Sequence, residues 1–279
     1  MEETQNMQIT PQKVQTGVQA IDLLFDGGLP QGSNILLYGD PMCGKKLILM
    51  RYIYEGLKSQ IPAIFILTDF GHEEWKIKMQ QLGMDIDSFE KSGYLKIIDC
   101  YSKQFDPSIQ NTQSVKFADN ASALSNISLL ISSANDELSA NFGSYRLAFH
   151  SLSSLVEGSN QKDFYKFMQF HVGKFRKNNA ICLFAMEKGM HNLKEVITVE
   201  HLMNGTIEFE GFKLRPKGLG AKSQWWDYTI NDNGVEVISP NSGSNENSQM
   251  SKGNMQAPFA PSGSKVTPLS SRLKFDKQH

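Results

Sequence analysis

Between Tyr38 and Leu47 the chain reads YGDPMCGKKL. The spacing Gly39-x-x-x-x-Gly44-Lys45 is that of a phosphate-binding loop, whose backbone amides wrap phosphates while the lysine reaches the outer ones. In such loops the next residue is Ser or Thr, and its hydroxyl binds the magnesium ion that neutralises charge during phosphoryl transfer. Here that residue is Lys46, a cation where a metal ligand belongs.

A phosphate loop works only when a strand delivers it and a helix leaves it, because the helix N-terminus then points free amides at the phosphates. NILLYGD (34–40) is a short apolar run ending in glycine, and KKLILMRYIYEGLKSQ has apolar residues at helical spacing. Further along, PAIFILTDF (62–70), GYLKIIDCY (93–101), SYRLAFHSLSSL (144–155) and AICLFAM (180–186) read as strands. Continuous apolar runs of this kind suit strands buried on both faces of a parallel sheet. EEWKIKMQQLGM, NISLLISSANDEL and DFYKFMQFHVGKFRKN read as the helices between them. The alternation predicts an α/β protein with a wound, mostly parallel sheet flanked by helices. After Thr206 short alternating segments separated by Gly and by Asn231-Asp-Asn-Gly234 predict antiparallel hairpins closing one sheet edge. From Asn241 to His279 Ser, Asn, Gly and Pro dominate, a composition that predicts a disordered tail. The domain is therefore placed at 16–240, after an N-terminal extension over 1–15.

The chain has 279 residues and a formal net charge of −1, so whole-protein charge selects neither nucleic acid nor an anionic membrane as partner. No stretch approaches the ~18 apolar residues of a membrane span, and the polar, acidic N-terminus lacks the pattern of a secretory signal. Cys43, Cys100 and Cys182 are far apart without CxxC or CxxH spacing, which argues against a zinc site or a disulfide framework. A cytoplasmic location is the expectation.

TGVQAIDLLFDGGLPQGSNILLYGDPMCGKK (16–46) resembles the opening of KaiC-like domains of the RecA superfamily of P-loop ATPases. RLAFHSLSSL resembles the family's Walker B strand, and EKGMHNLKEVITVEHLMNGTIEF (187–209) the segment that follows it. The similarity runs from about Thr16 to Ile238. It implies a RecA-like fold, ATP as ligand, and assembly as a ring or filament of like subunits or with related ATPases. By position, Gly39, Asp40, Pro41, Met42, Cys43, Gly44 and Lys45 would wrap the phosphates. The two magnesium ligands, the loop Ser/Thr and the Asp closing Walker B, fall on Lys46 and His150. The paired carboxylates that activate water fall on Asp69, a shortened catalytic candidate, and Phe70. Glu73 and Glu74 lie a turn further on, at the expected helix surface.

These departures at the chemically demanding positions point to degenerate Walker motifs, ATP binding without efficient hydrolysis, magnesium in doubt and no residue set read as a metal site. Two placements of Lys46 are open: its ammonium at the vacated metal position, or turned to solvent. His150 is either a charge partner of the phosphates or a satisfied core histidine. His191 is read as a surface-loop residue, and Cys43 as a small tolerated one. In related domains basic residues of the hairpin LRPKGLGAKSQWW (214–226) reach the nucleotide of the neighbouring subunit, which nominates Lys222. The same basic and aromatic mixture admits single-stranded nucleic acid as a weaker partner. The function classes left open are a nucleotide-binding regulatory or scaffold protein, an active magnesium-dependent ATPase using Asp69 or Glu73, and a single-strand-binding recombinase paralogue.

Overall fold

The apolar runs become strands buried from both sides. The computed structural model describes residues 12–238; the tail from Asn241 and most of the 1–15 extension lie outside them. In β3 (Asn34–Gly39), β4 (Ala63–Leu67), β5 (Leu95–Asp99), β7 (Arg146–His150) and β8 (Ile181–Glu187) nearly every residue is buried. Because successive side chains point to opposite faces, each strand feeds two cores. Ile35, Leu37, Phe65, Leu67, Leu183 and Ala185 pack on one face. Leu36, Ile64, Ile66, Cys182, Phe184 and Met186 pack on the other.

The first face is covered by α1 (Gln19–Leu24), α2 (Lys45–Lys58) and α3 (His72–Gln81). The second is covered by α5 (Leu124–Phe142), α6 (Leu152–Gly158), α7 (Gln161–Lys177) and α8 (Leu193–Leu202). A short β1 (Lys13–Val14) pairs with β2 (Leu29–Pro30), α4 (Asp87–Lys91) precedes β5, and β6 (Val115–Phe117) lies at the far edge. Among the described residues the main sheet runs β12-β11-β10-β9-β3-β8-β7-β4-β5-β6, where β9 is Gly205–Glu210, β10 Lys213–Gly218, β11 Trp226–Asn231 and β12 Gly234–Ile238. From β9 to β6 the pairs are parallel, and from β9 to β12 antiparallel.

Two local expectations are corrected. The strand read over 144–155 stops at His150, and Leu152 already opens α6. The edge after Thr206 is not wholly antiparallel: β9 runs parallel to β3, since the chain arrives through the crossover helix α8. The membrane expectation concerns helices only: among the described residues no helix is long and apolar enough to cross a bilayer.

Two buried basic side chains mark the frame. Arg146, at the start of β7, donates to the carbonyls of Thr16, Gln15 and Tyr52 and lies 4.7 Å over the Tyr52 ring, which ties α2 and the segment before α1 to the sheet. On the other face His171 sits among Phe167, Phe170 and Phe175, its Nε2 2.9 Å from Ser128 Oγ. Burial, helped by nearby Lys174, pushes its pKa down to about 4. Above pH ~6.5 the ring is neutral in both folded and unfolded chains and contributes nothing to pH dependence. Below that the unfolded chain takes up a proton the folded chain refuses, so stability falls as pH drops towards about 4 and then levels off. The loss is expected to reach about 3 kcal/mol. Urea unfolding of wild type and His171→Leu at pH 7 and pH 4 checks it: the variant should lack that part of the acid loss.

Candidate functional site

Strand β3 ends in Gly39, whose missing side chain is a requirement of space. A Cβ there would stand 2.5 Å from Phe209 Cβ and 3.0 Å from Cys43 Sγ. The loop then turns through Met42 at φ +63° and Gly44 at φ +98°, both in the left-handed region, before α2 begins at Lys45. No side chain caps α2 and no acid lies in its first turn, so its leading amides keep their positive field for an external anion. Tyr228, from β11, donates its hydroxyl to Cys43 O at 2.9 Å and holds the loop from behind.

Lys45 is buried, and its three ammonium protons each have an acceptor: Gly39 O and Asp40 O at 2.7 Å, and Glu187 Oε2 at 3.0 Å. Glu187 is the last residue of β8, and its own N–H is held by Ser153 Oγ at 2.9 Å. Around this pair opens a cavity of about 680 Å³, within the range of small-molecule sites. Its apolar wall is Met42, Leu47, Met50, Leu82 and Ile230; its charged wall is Lys45, Lys46, Lys78, His150, Glu187 and Asp232. Arg51 donates to Asp232 O at 2.7 Å and ties α2 to the β11–β12 turn that closes one side.

Lys46, Phe70, His150 and Asp69 touch one another in a chain. The Lys46 ammonium lies 3.4 Å from the centroid of Phe70, with Glu74 Oε1 at 4.0 Å. Phe70 meets the His150 ring edge-on at 5.1 Å. His150 Nδ1 lies 3.3 Å from Asp69 Oδ2. Asp69 accepts from the hydroxyls of Ser151 at 2.9 Å and Thr68 at 3.1 Å, and from Ser154. Burial pushes the Asp69 carboxyl up, but the His150 ring and the Ser154 and Ser151 hydroxyls outweigh it and hold the group ionised, below the usual range. Burial lowers the Lys46 pKa, with Glu74 and Asp69 offsetting part of the effect. The loop carrying Asp69 and Phe70 is anchored by Asp99, whose carboxylate accepts from the amides of His72, Tyr101 and Ser102 and from the Ser102 hydroxyl.

This donor set fits a polyphosphate: a free helix N-terminus, a glycine-bounded loop and three lysines face one cavity. Among the described residues no three His, Cys, Asp or Glu side chains gather as metal ligands.

The family model for the KaiC ATPase matches residues 14–242. The chain belongs to the KaiC ATPase family. Among similar proteins, a UPF0273 protein of Aeropyrum pernix is 29% identical over 90 residues, covering 32% of this chain and 36% of the relative. One of Thermotoga maritima is 30% identical over 90 residues, covering 32% of this chain and 37% of the relative. The matched stretch thus spans little more than a third of these relatives. The structure of a KaiC-like protein from Pyrococcus horikoshii superposes with a TM-score of 0.61 at 16% identity, covering 82% of this chain and all of the other. At that identity the likeness establishes the RecA-like fold alone.

Within this KaiC domain the structure brings Pro41, Met42, Gly44, Lys45, Lys46 and His150 to the cavity wall, while Gly39, Asp40 and Cys43 shape the loop behind it. Asp69 does not line the cavity; it stands behind His150. Lys222 lies exposed between β10 and β11, away from the cavity of its own chain. Lys46 takes neither pure form of its two expected placements, resting on Phe70 and partly exposed. Glu73 and Glu74 are exposed, as expected. His191 corrects its reading: it lies on a loop, but its ring is fully buried, 3.3 Å from Glu157. Sequence reasoning missed Glu187, Tyr228 and the serines of α6. Substituting Gly39 by Ala should lower stability by about 1–3 kcal/mol through overpacking against Phe209, measured as a lower urea midpoint at unchanged slope.

Proposed function

We propose that this KaiC-family chain binds ATP without needing magnesium and hydrolyses it poorly or not at all, acting as a regulatory or scaffold component of an oligomeric assembly in the cytoplasm. The observation that carries the reading is the contact chain Lys46–Phe70–His150–Asp69. Four positions that would hold magnesium and activate water in a working site form one packed unit here. Lys46 and His150 supply positive charge where the ion would sit, and an ammonium or imidazolium neutralises phosphate without a coordination shell.

The same contacts weigh against an active ATPase. A general base needs a lone pair aimed at water, and the Asp69 carboxylate is already engaged by three hydroxyls and a histidine. The single-strand reading loses weight because Arg215 and Lys217 are both paired to Glu208, at 2.6 and 3.0 Å, with Arg215 stacked 4.4 Å over Trp225. Assembly with a second copy or a related ATPase remains the place for Lys222, whose exposure suits a role towards a neighbouring subunit.

Equilibrium binding of ATP in magnesium and in excess chelator tests the reading. The two dissociation constants are expected to agree within about threefold, with phosphate release at the level of buffer. Magnesium-dependent turnover overturns it. In the variant Lys46→Thr/His150→Asp, binding should become magnesium-dependent, because a hydroxyl and a carboxylate are restored to the metal positions.

A further inference from the structure

The lysine of the phosphate loop is closed off by its own protein. We propose that Glu187 is an internal competitor for phosphate, holding Lys45 in a state shut to anions, so that affinity is set by the breaking of this ion pair. The inference rests on the reading that the cavity takes the phosphates of a nucleotide.

Three observations carry it. The Lys45 ammonium has three protons and three good acceptors, so a phosphate gains no bond from it unless one is surrendered. Two acceptors are carbonyls of the loop itself and stay with it. The third, Glu187, comes from a separate strand and is the anionic one, so an incoming phosphate replaces it charge for charge. Finally, Glu187 cannot follow Lys45 outward by a backbone shift, because its N–H is fixed to Ser153 on α6. The exchange therefore breaks the pair.

An ion pair that must be broken favours ligands dense in charge. A triphosphate with about four negative charges offers several oxygens to the loop amides and Lys45 together, whereas a monoanion offers less than the carboxylate it displaces. Glu187 thereby acts as a threshold selecting polyphosphates over small anions. It touches the ligand through Lys45 and is a positioning residue.

The test uses the full chain with two variants, Glu187→Gln, which keeps the shape, and Glu187→Ala, which removes the acceptor. Binding of ATP and of inorganic tripolyphosphate is measured by calorimetry, and acetylation of Lys45 by a small activated ester is followed by mass spectrometry without ligand. Both variants are expected to bind both ligands more tightly, by about tenfold as for one lost charge-assisted hydrogen bond, and to acetylate Lys45 faster. A merely structural role for Glu187 would loosen binding. Unchanged or weaker tripolyphosphate binding in folded variants overturns the inference, as does unchanged acetylation. If ATP binds to none of the proteins while tripolyphosphate tightens in the variants, the nucleotide reading falls and the competitor stands.

Discussion

A buried ammonium needs three acceptors and a counter-charge, and the architecture around the cavity follows from meeting that need for Lys45. Its position comes from the loop, its carbonyl acceptors from Gly39 and Asp40, and its counter-charge from the end of a neighbouring strand. The tight passage at Gly39, closed by Phe209 and Cys43, keeps those carbonyls in place. The parallel pairing of β3 with β8 brings Glu187 beside Gly39 in register. Ligands of wound sheets gather at the carboxyl ends of strands, and here those ends already carry opposite charges locked together.

Lys46, Phe70, His150 and Asp69 form one set of contacts rather than four separate features. An aspartate at 150 would set a second carboxylate beside Asp69, where His150 Nδ1 now lies 3.3 Å from Asp69 Oδ2. His150 stands beside Asp69, and Phe70 lies in contact with both the Lys46 ammonium and the His150 ring.

Much of the fold was legible because parallel strands buried on both faces leave unbroken apolar runs, as in PAIFIL and AICLFAM. The end of β7 was not, since HSLSSL continues the apolar rhythm while changing from strand to helix at Ser151. Helix α8 was missed although it carries a readable start: Asn192 and Glu195 form a reciprocal capping box. Recognising it would have made β9 parallel. In the site, the loop and its strange Lys46 could be read locally. The contacts among residues 46, 70 and 150 could not, because each lies on a different element and only the strand order brings them together. Glu187 carried no local signal beyond being the first acid after a buried strand. Tyr228 reaches the loop from a hairpin nearly two hundred residues away.

The serines that open α6 have a mechanical consequence. Ser151 and Ser154 grip Asp69 on one flank of the cavity, and Ser153 grips the backbone of Glu187 on the other. One short helix and its N-cap therefore bond to both flanks. The β11–β12 turn is tied across to α2 by a hydrogen bond from Arg51 to the Asp232 carbonyl.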